Sequence, residues 1–337
     1  RLERVPIAAN LRHDQLDEVI TVASLTGEAL AEYPFATELA FAFRLAQHLK
    51  AAREVVRGKP ENFNRPDYNF RLVREEGRPE GEPDGSEQVL ITERRRGAPL
   101  DLIVSEAMIL ANSHWGGWLA EHGVPGIYRS QASLAPGIKV RMGVKPAPHA
   151  GMGVRQYTWA TSPLRRYVDL VNQWQIIACA RHGRTAALVA PFKPKDATLF
   201  SVISSFDAAY TAYADFQHGI ERFWALRWLE QQQVSELHAA VMKDGLVRAD
   251  SVPLVFRALG CESLPRGTRV LVRITGTDAL TLDVHASLVT RLDEAAPAGI
   301  DDEAGDDETD STPLALAIDL SDEESQAPPS PGATAAT

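Results

Sequence analysis

At Gln232 the periodicity of this chain changes, and the two textures call for two differently built parts. Before it, apolar residues recur at helical spacing. Leu39, Phe43, Ala46 and Leu49 mark one face of a helix over Pro34–Val56, which Gly58 and Pro60 stop. Leu100–His122 reads as a second helix, ended by Gly123. Asp196 can cap a helix to about Ala214, and another runs from about Phe216 to Gln232. Strand-like segments fall between these helices, at Glu61–Leu72, Gln88–Glu93 and Ile138–Val144. A polar Gly/Pro-rich loop, Val73–Glu87, separates the first two. After Gln232 only short strands remain: Glu236–Met242, Leu246–Ala258, Thr268–Thr275 and Leu280–Leu288. Asp244-Gly245, Arg266-Gly267 and Thr277-Asp278 supply the turns. That pattern predicts a compact OB-type barrel. From Ala295 the chain is rich in Asp, Glu, Ala, Pro and Ser and lacks the apolar mass to fold. The expected division is therefore 1–232, 233–292 and a disordered acidic tail, 293–337, in a chain of 337 residues.

Charge follows the same division. The net charge is −10, but 13 acidic residues and no Lys or Arg lie from Asp293 onward. Residues 1–292 hold 35 basic against 32 acidic side chains, so the folded part can present a nucleic-acid surface. Cys179 and Cys261 lack metal spacing and predict a reducing compartment without a disulfide framework. No apolar run reaches membrane-spanning length and no signal peptide is visible, so a cytoplasmic protein off the membrane is expected. The chain opens RLERVPIAANLRHDQLD, without Met and in mid-pattern, as a piece of a longer chain would.

The densest chemistry lies in Tyr157–Leu170, YTWATSPLRRYVDL. Ser162-Pro163 is a helix-start signal, and Arg165 and Arg166 then fall in the first turn. A helix start favours anions, and two guanidiniums add forked donors that match phosphate oxygens. Asp169, four residues after Arg165, is placed to hold one arginine. The same residues also fit an ordinary cap with a surface ion pair. Glu106 sits among Leu102, Ile103, Ile109 and Leu110, where a carboxylate needs a partner or a task.

Tyr157–Leu170 resembles the signature of the ribonuclease II / RNB family, Y-x-x-x-T-S-P-[IL]-R-[RK]-Y-x-D. Tyr157, Thr161, Ser162, Pro163, Arg165, Arg166, Tyr167 and Asp169 match it in spacing. PHAGMGVRQY (Pro148–Tyr157) resembles the family's lead-in, SEAMILAN (Ser105–Asn112) its EEAMIAAN segment, and VPGIYRSQ (Val124–Gln131) its P-x-[IL]-Y-R-x-H segment. GIERFWALRWL (Gly219–Leu229) resembles its closing helix. Gln131, Trp159 and Gln173 stand where the family often has His, and none of them titrates near neutral pH. The fold class implied is α+β: the C-terminal portion of an RNB-type catalytic domain (1–232), then a small all-β OB-type RNA-binding barrel (233–292) and the acidic tail.

The resemblance implies a 3′→5′ exoribonuclease that hydrolyses single-stranded RNA with Mg²⁺, acting as a monomer away from membranes; the activity is expected of the full-length parent, and the isolated chain, without the metal-binding aspartates, is expected to be inactive. The alternative is a non-catalytic RNA-binding protein with a degenerate RNB domain, and a third reading is a protein–protein scaffold using the acidic tail. Arg165 matches the catalytic arginine. Arg166 pairs locally or holds the RNA backbone. Glu106 and Glu221 are expected to position terminal nucleotides, with a buried ion pair as the other reading of Glu106. Tyr157, His149 and Phe63 complete the expected RNA contacts. Phe63 lies one residue from the family's RNA-clamping aromatic, and Phe63, Tyr68 and Phe70 equally suit strand packing. Phe223, Trp224 and Trp228 read as core. Arg248, Arg257, Arg269 and Arg273 form either a phosphate-tracking face on the barrel or a solvated one. The family's metal-binding aspartates lie upstream of the matched region, so no metal ligand is assigned here. Asp301, Asp302, Asp306 and Asp307 read as solvated tail.

Overall fold

The computed structural model describes residues 4–11, 16, 18–29, 32–61, 67–74, 85–94, 97–135, 138–292 and 315–316. Helix α1 (Ala36–Arg57) ends at Gly58, whose left-handed φ of 80° turns its N–H back onto Glu54 O. Strands β1 (Asp67–Val73) and β2 (Gln88–Arg94) form an antiparallel hairpin. Helix α2 (Pro99–Glu121) begins with Pro in its first turn, where no N–H partner is lost. Three short strands follow, β3 (Tyr128–Ser130), β4 (Arg141–Gly143) and β5 (Tyr157–Thr158), with β3 central and antiparallel to both neighbours. Helices α3 (Tyr167–His182) and α4 (Ala197–Gln231) complete the first part.

Two expectations fail here. Helix α3 starts at Tyr167, not at Ser162. The reason is the Asp169 carboxylate, which accepts the Ser162 N–H at 2.8 Å and folds Ser162–Arg166 into a turn instead. The expected pair of helices over 196–232 is one helix of 35 residues. Its buried stripe runs on through Leu199, Ile203 and Ala214 to Ala225, Leu226 and Leu229, so packing on both halves overrides any break near Asp215.

The second part is a closed barrel of β6 (Glu236–Val241), β7 (Leu246–Ala249), β8 (Val255–Leu259), β9 (Arg269–Asp278) and β10 (Asp283–Arg291), in the order β10-β8-β7-β6-β9. Its neighbours are antiparallel except β8 and β10, a connectivity that fits an OB-type fold. The expected strand 246–258 is two strands. A turn at Asp250–Leu254 divides them, with Pro253 unable to donate to a ladder and Ala249 N–H bonded to Leu254 O at 2.9 Å. Alternate residues such as Leu237, Val247, Phe256, Val270, Val272 and Val284 fill the interior, and Ala225, Leu226 and Leu229 of α4 join the same cluster. The hairpin strands add Phe70 and Ile91 to it.

A separate core of Ile109, Met142, Tyr157, Trp159, Val168, Val171, Leu199 and Ile203 lies between the β3–β5 sheet and helices α2, α3 and α4. Of the tail, Ala315–Leu316 pairs in parallel with Arg141–Met142 of β4. The rest of the tail falls outside the described residues. Among the described residues no helix is long and apolar enough to cross a membrane.

Candidate active site and RNA interface

Two buried asparagines hold the backbone that leads to the signature turn. Asn112, on α2, accepts the Ala160 N–H at 3.0 Å and donates to Tyr157 OH and Thr161 Oγ1, both at 3.3 Å. Asn172, on α3, donates to Trp159 O at 2.8 Å and Ile127 O at 2.9 Å, and accepts the Ile127 N–H at 2.7 Å. Gln173 adds a bond to Ala160 O at 2.8 Å. Residues 157–161 are therefore fixed by side chains of two helices. Neither asparagine drew notice in the sequence. The signal available was an amide on the apolar face of each helix, which must find partners if buried.

The turn itself is closed by a buried clasp. Arg166 Nε and Nη2 reach Asp169 Oδ2 and Oδ1 at 2.8 and 2.9 Å, and the same carboxylate takes the Ser162 N–H. Asp169 thus holds Arg166 and not Arg165. Leu164 and Arg165 are left exposed at the crest of the turn. Both Arg166 and Arg129 lie over the Trp159 indole, with guanidinium carbons 4.1 and 3.8 Å from its ring centroid. Phe206 and Tyr210 of α4 meet the same indole at 6.2 and 6.1 Å.

A second ionic knot ties α1 to this region. Arg53 donates to both oxygens of Glu106, to Glu61 Oε2 at 2.9 Å and to Met152 O at 2.7 Å. Burial lowers the Arg53 pKa, but the bonds and charges of Glu106 and Glu61 outweigh it and hold the guanidinium above its ordinary range. Glu106 is 1% exposed with both oxygens taken, so the expected nucleotide contact is corrected to a buried ion pair. His149 is corrected too: it is 0% exposed, its Nδ1 accepts the Met152 N–H at 3.2 Å, and its ring packs against Tyr157. Tyr157 and Arg166, buried within the network just described, are scaffold in this arrangement and not RNA-facing surface. Glu221 is half-buried on α4 and accepts from Gln217 Nε2 at 2.9 Å. Phe63 lies outside the described residues. Gln131, in place of the family's His, closes the same loop by accepting the Gly151 N–H at 2.9 Å.

Two of the four barrel arginines, Arg269 and Arg273, meet carboxylates. Arg269 forks onto Asp250, Arg273 bonds Glu236 at 2.8 Å, and Arg257 Nη1 donates to Asp244 O at 2.7 Å. A groove of about 250 Å³ lies elsewhere, where Phe223, Trp224, Arg227 and Glu230 of α4 meet Gly85, Glu87 and Ala279. Phe223 and Trp224, expected in the core, instead line that groove half-exposed. Among the described residues no three His, Cys, Asp or Glu side chains come together so as to hold a metal ion. They therefore do not fit a two-metal centre.

Residues 138–182, which contain the clasp and its turn, match the RNB domain. Over this segment the chain is similar to the RNB family. An uncharacterized ribonuclease of Synechocystis is 29% identical over 208 residues, covering 52% of this chain and 30% of the relative. The mitochondrial exoribonuclease II of Saccharomyces cerevisiae is 26% identical over 162 residues, 39% of this chain and 16% of the relative. The chain thus spans under a third of the length of these curated relatives. Among solved folds, an active-site mutant of Dss1 exoribonuclease from Candida glabrata superposes with TM-score 0.60 at 19% identity, covering 81% of this chain and 38% of that one. Mycoplasma genitalium RNase R in complex with double-stranded RNA gives 0.57 at 13% identity, with 82% and 54% covered. The RNB likeness therefore extends in fold well beyond the matched segment.

Proposed function

We propose that the protein carrying this chain is a 3′→5′ exoribonuclease of single-stranded RNA, and that Arg165 is its catalytic arginine. The observation that supports this most is the division of labour in the turn. Arg166 is consumed by Asp169, which frees the turn to lift Arg165 to the surface on a backbone held by buried hydrogen bonds. A guanidinium presented this way suits the equatorial oxygens of a transferring phosphate, where it offsets charge that develops in the transition state. It is prepositioned, so little reorganisation is needed as the reaction proceeds. In this reading Mg²⁺, held by residues other than those described, would supply the activated water. Glu221, half-buried on α4, is the carboxylate still accessible to a ribose hydroxyl. Stacking and phosphate contacts carry little base information, so sequence preference should be low.

The complete protein should shorten a 5′-labelled single-stranded RNA in Mg²⁺ to a short end product. Arg165→Ala should slow this by about 10²-fold or more, as loss of one oxyanion-stabilising donor does. Its unfolding free energy should stay within about 0.5 kcal/mol of wild type, because the side chain is exposed. An unchanged rate removes Arg165 from the mechanism. RNA binding without hydrolysis by the wild type would instead favour the degenerate, non-catalytic reading.

A further inference from the structure

The indole of Trp159 is 2% exposed and carries two guanidiniums, Arg129 from β3 and Arg166 from the signature turn. Two like charges brought to one buried ring repel each other, so the arrangement needs compensation. Asp169 supplies one negative charge through its fork on Arg166. The electron-rich indole face attracts both guanidiniums without competing for their N–H groups. Arg166 is thereby held from one side by a ring and from another by a carboxylate. That carboxylate is also the acceptor of the Ser162 N–H which closes the turn beneath Arg165. Arg166 N–H returns to Ser162 O at 3.0 Å, and Arg165 N–H to the same oxygen at 3.2 Å. Ring, fork and turn form one chain of contacts ending at the exposed guanidinium.

We infer that Trp159 is a positioning residue: its indole, bound to Arg129 and Arg166, sets the Arg166–Asp169 clasp and through it the turn that presents Arg165. This deepens the reading of Arg165 as catalytic and rests on it for its kinetic consequence, but the mechanical claim stands apart. The groups around the indole are Arg129, Arg166 with Asp169, and Tyr210, with Asp207 next to Tyr210's turn of α4. Burial pushes the Asp207 carboxyl up towards its uncharged form. An imidazole at position 159 would face the two guanidiniums and be disfavoured when protonated.

The test uses the complete protein with Trp159→Phe, Trp159→Leu and Trp159→His. Phe keeps a π face, Leu keeps apolar bulk without one, and His makes the site titratable. Amide hydrogen exchange at Ser162, Arg165 and Arg166, read against amides in the middle of α2, reports the turn without reference to catalysis. Trp159→Leu should speed that exchange about tenfold or more relative to α2, and Trp159→Phe should leave it within about threefold. The same Leu variant should lower kcat about tenfold, equivalent to about 1.4 kcal/mol, with KM for RNA little changed. Trp159→His should show a turn that loosens as pH falls below about 6, the depressed range of an imidazole beside two guanidiniums, which wild type does not. Unchanged turn exchange in Trp159→Leu overturns the inference whatever the kinetics. If Trp159→Leu does not fold, a flat pH response in Trp159→His overturns it. Faster exchange combined with an inert Arg165→Ala would instead leave the clasp standing and sink the catalytic reading.

Discussion

Glu106 shows how one residue type can satisfy two opposite readings. A carboxylate among leucines and isoleucines must be paired or used, and the sequence alone allows both. The partner that decides, Arg53, lies 53 positions away on another helix. Glu106→Ala leaves Arg53 buried with part of its charge uncompensated and should destabilise the protein by about 3–5 kcal/mol. Urea denaturation followed by circular dichroism would show this as a lower midpoint with an unchanged slope. A loss below about 1 kcal/mol would mean that the pair contributes little and that Glu106 is free for other work. His149 makes a similar point. A histidine in a Pro/Gly loop reads as exposed, yet the loop closes over it because Gln131 and the backbone bridge across its base. Arg165 and Arg166 are adjacent and chemically identical, and only the direction of one carboxylate separates a surface arginine from a buried one.

At the scale of elements, helices were visible wherever an apolar stripe persisted. Both α1 and α2 lie within a residue or two of the expected limits because their caps are local signals. The start of α3 was not visible, since Ser162-Pro163 fits a helix start in isolation and Asp169 overrules it. The loop at 150–153 carries a second hidden constraint. Gly153 has φ +64°, and a Cβ there would meet Arg53 O at 2.3 Å. Gly153→Ala therefore combines backbone strain with a clash against the end of α1, and the expected loss is above about 1 kcal/mol. Comparing its thermal midpoint with that of Gly123→Ala separates the two causes. Gly123 shares the positive φ of 63° but has nothing within 4 Å. Equal losses at both sites would show that strain alone matters and that the approach to Arg53 is relaxed.

Across the whole molecule, the β1–β2 hairpin ties helix α4 of the first part to the barrel. Tyr68 OH donates to Asp250 O at 3.1 Å, while Val89 N–H donates to Gln231 Oε1 at 2.8 Å near the end of α4. Burial, with the charges of Glu93 and Asp250, pushes the Tyr68 phenol from 10.0 up to about 12. The folded state therefore prefers the neutral phenol. Its contribution is complete below pH 10 and is lost as pH rises through about 12. Denaturation midpoints should fall across that window. Tyr68→Phe should lessen the fall while costing about 1 kcal/mol at neutral pH for the lost bond. An identical alkaline decline in wild type and Tyr68→Phe would place the sensitivity elsewhere, with buried Tyr128 the next candidate, since burial raises it further. The barrel arginines belong to this scale as well. Their spacing suggested a tracking surface; the carboxylates of Asp250 and Glu236 come from other strands and turns to meet Arg269 and Arg273, while Arg257 stays exposed with one bond to the Asp244 carbonyl.

What the linear chain determined was everything encoded within a turn or two of itself: helix periodicity, the strand-rich segment after Gln232, the turn residues of the barrel and the spacing of the signature. Those are short-range effects, set by backbone sterics and side-chain alternation. Only the tertiary structure decided which charges meet, because Arg53 with Glu106, Arg129 with Trp159 and Arg269 with Asp250 are joined by folding and not by neighbourhood. Burial then fixed their roles. A charge removed from water must take the partner the fold supplies, as Arg166 takes Asp169, while its neighbour Arg165 stands exposed on the turn.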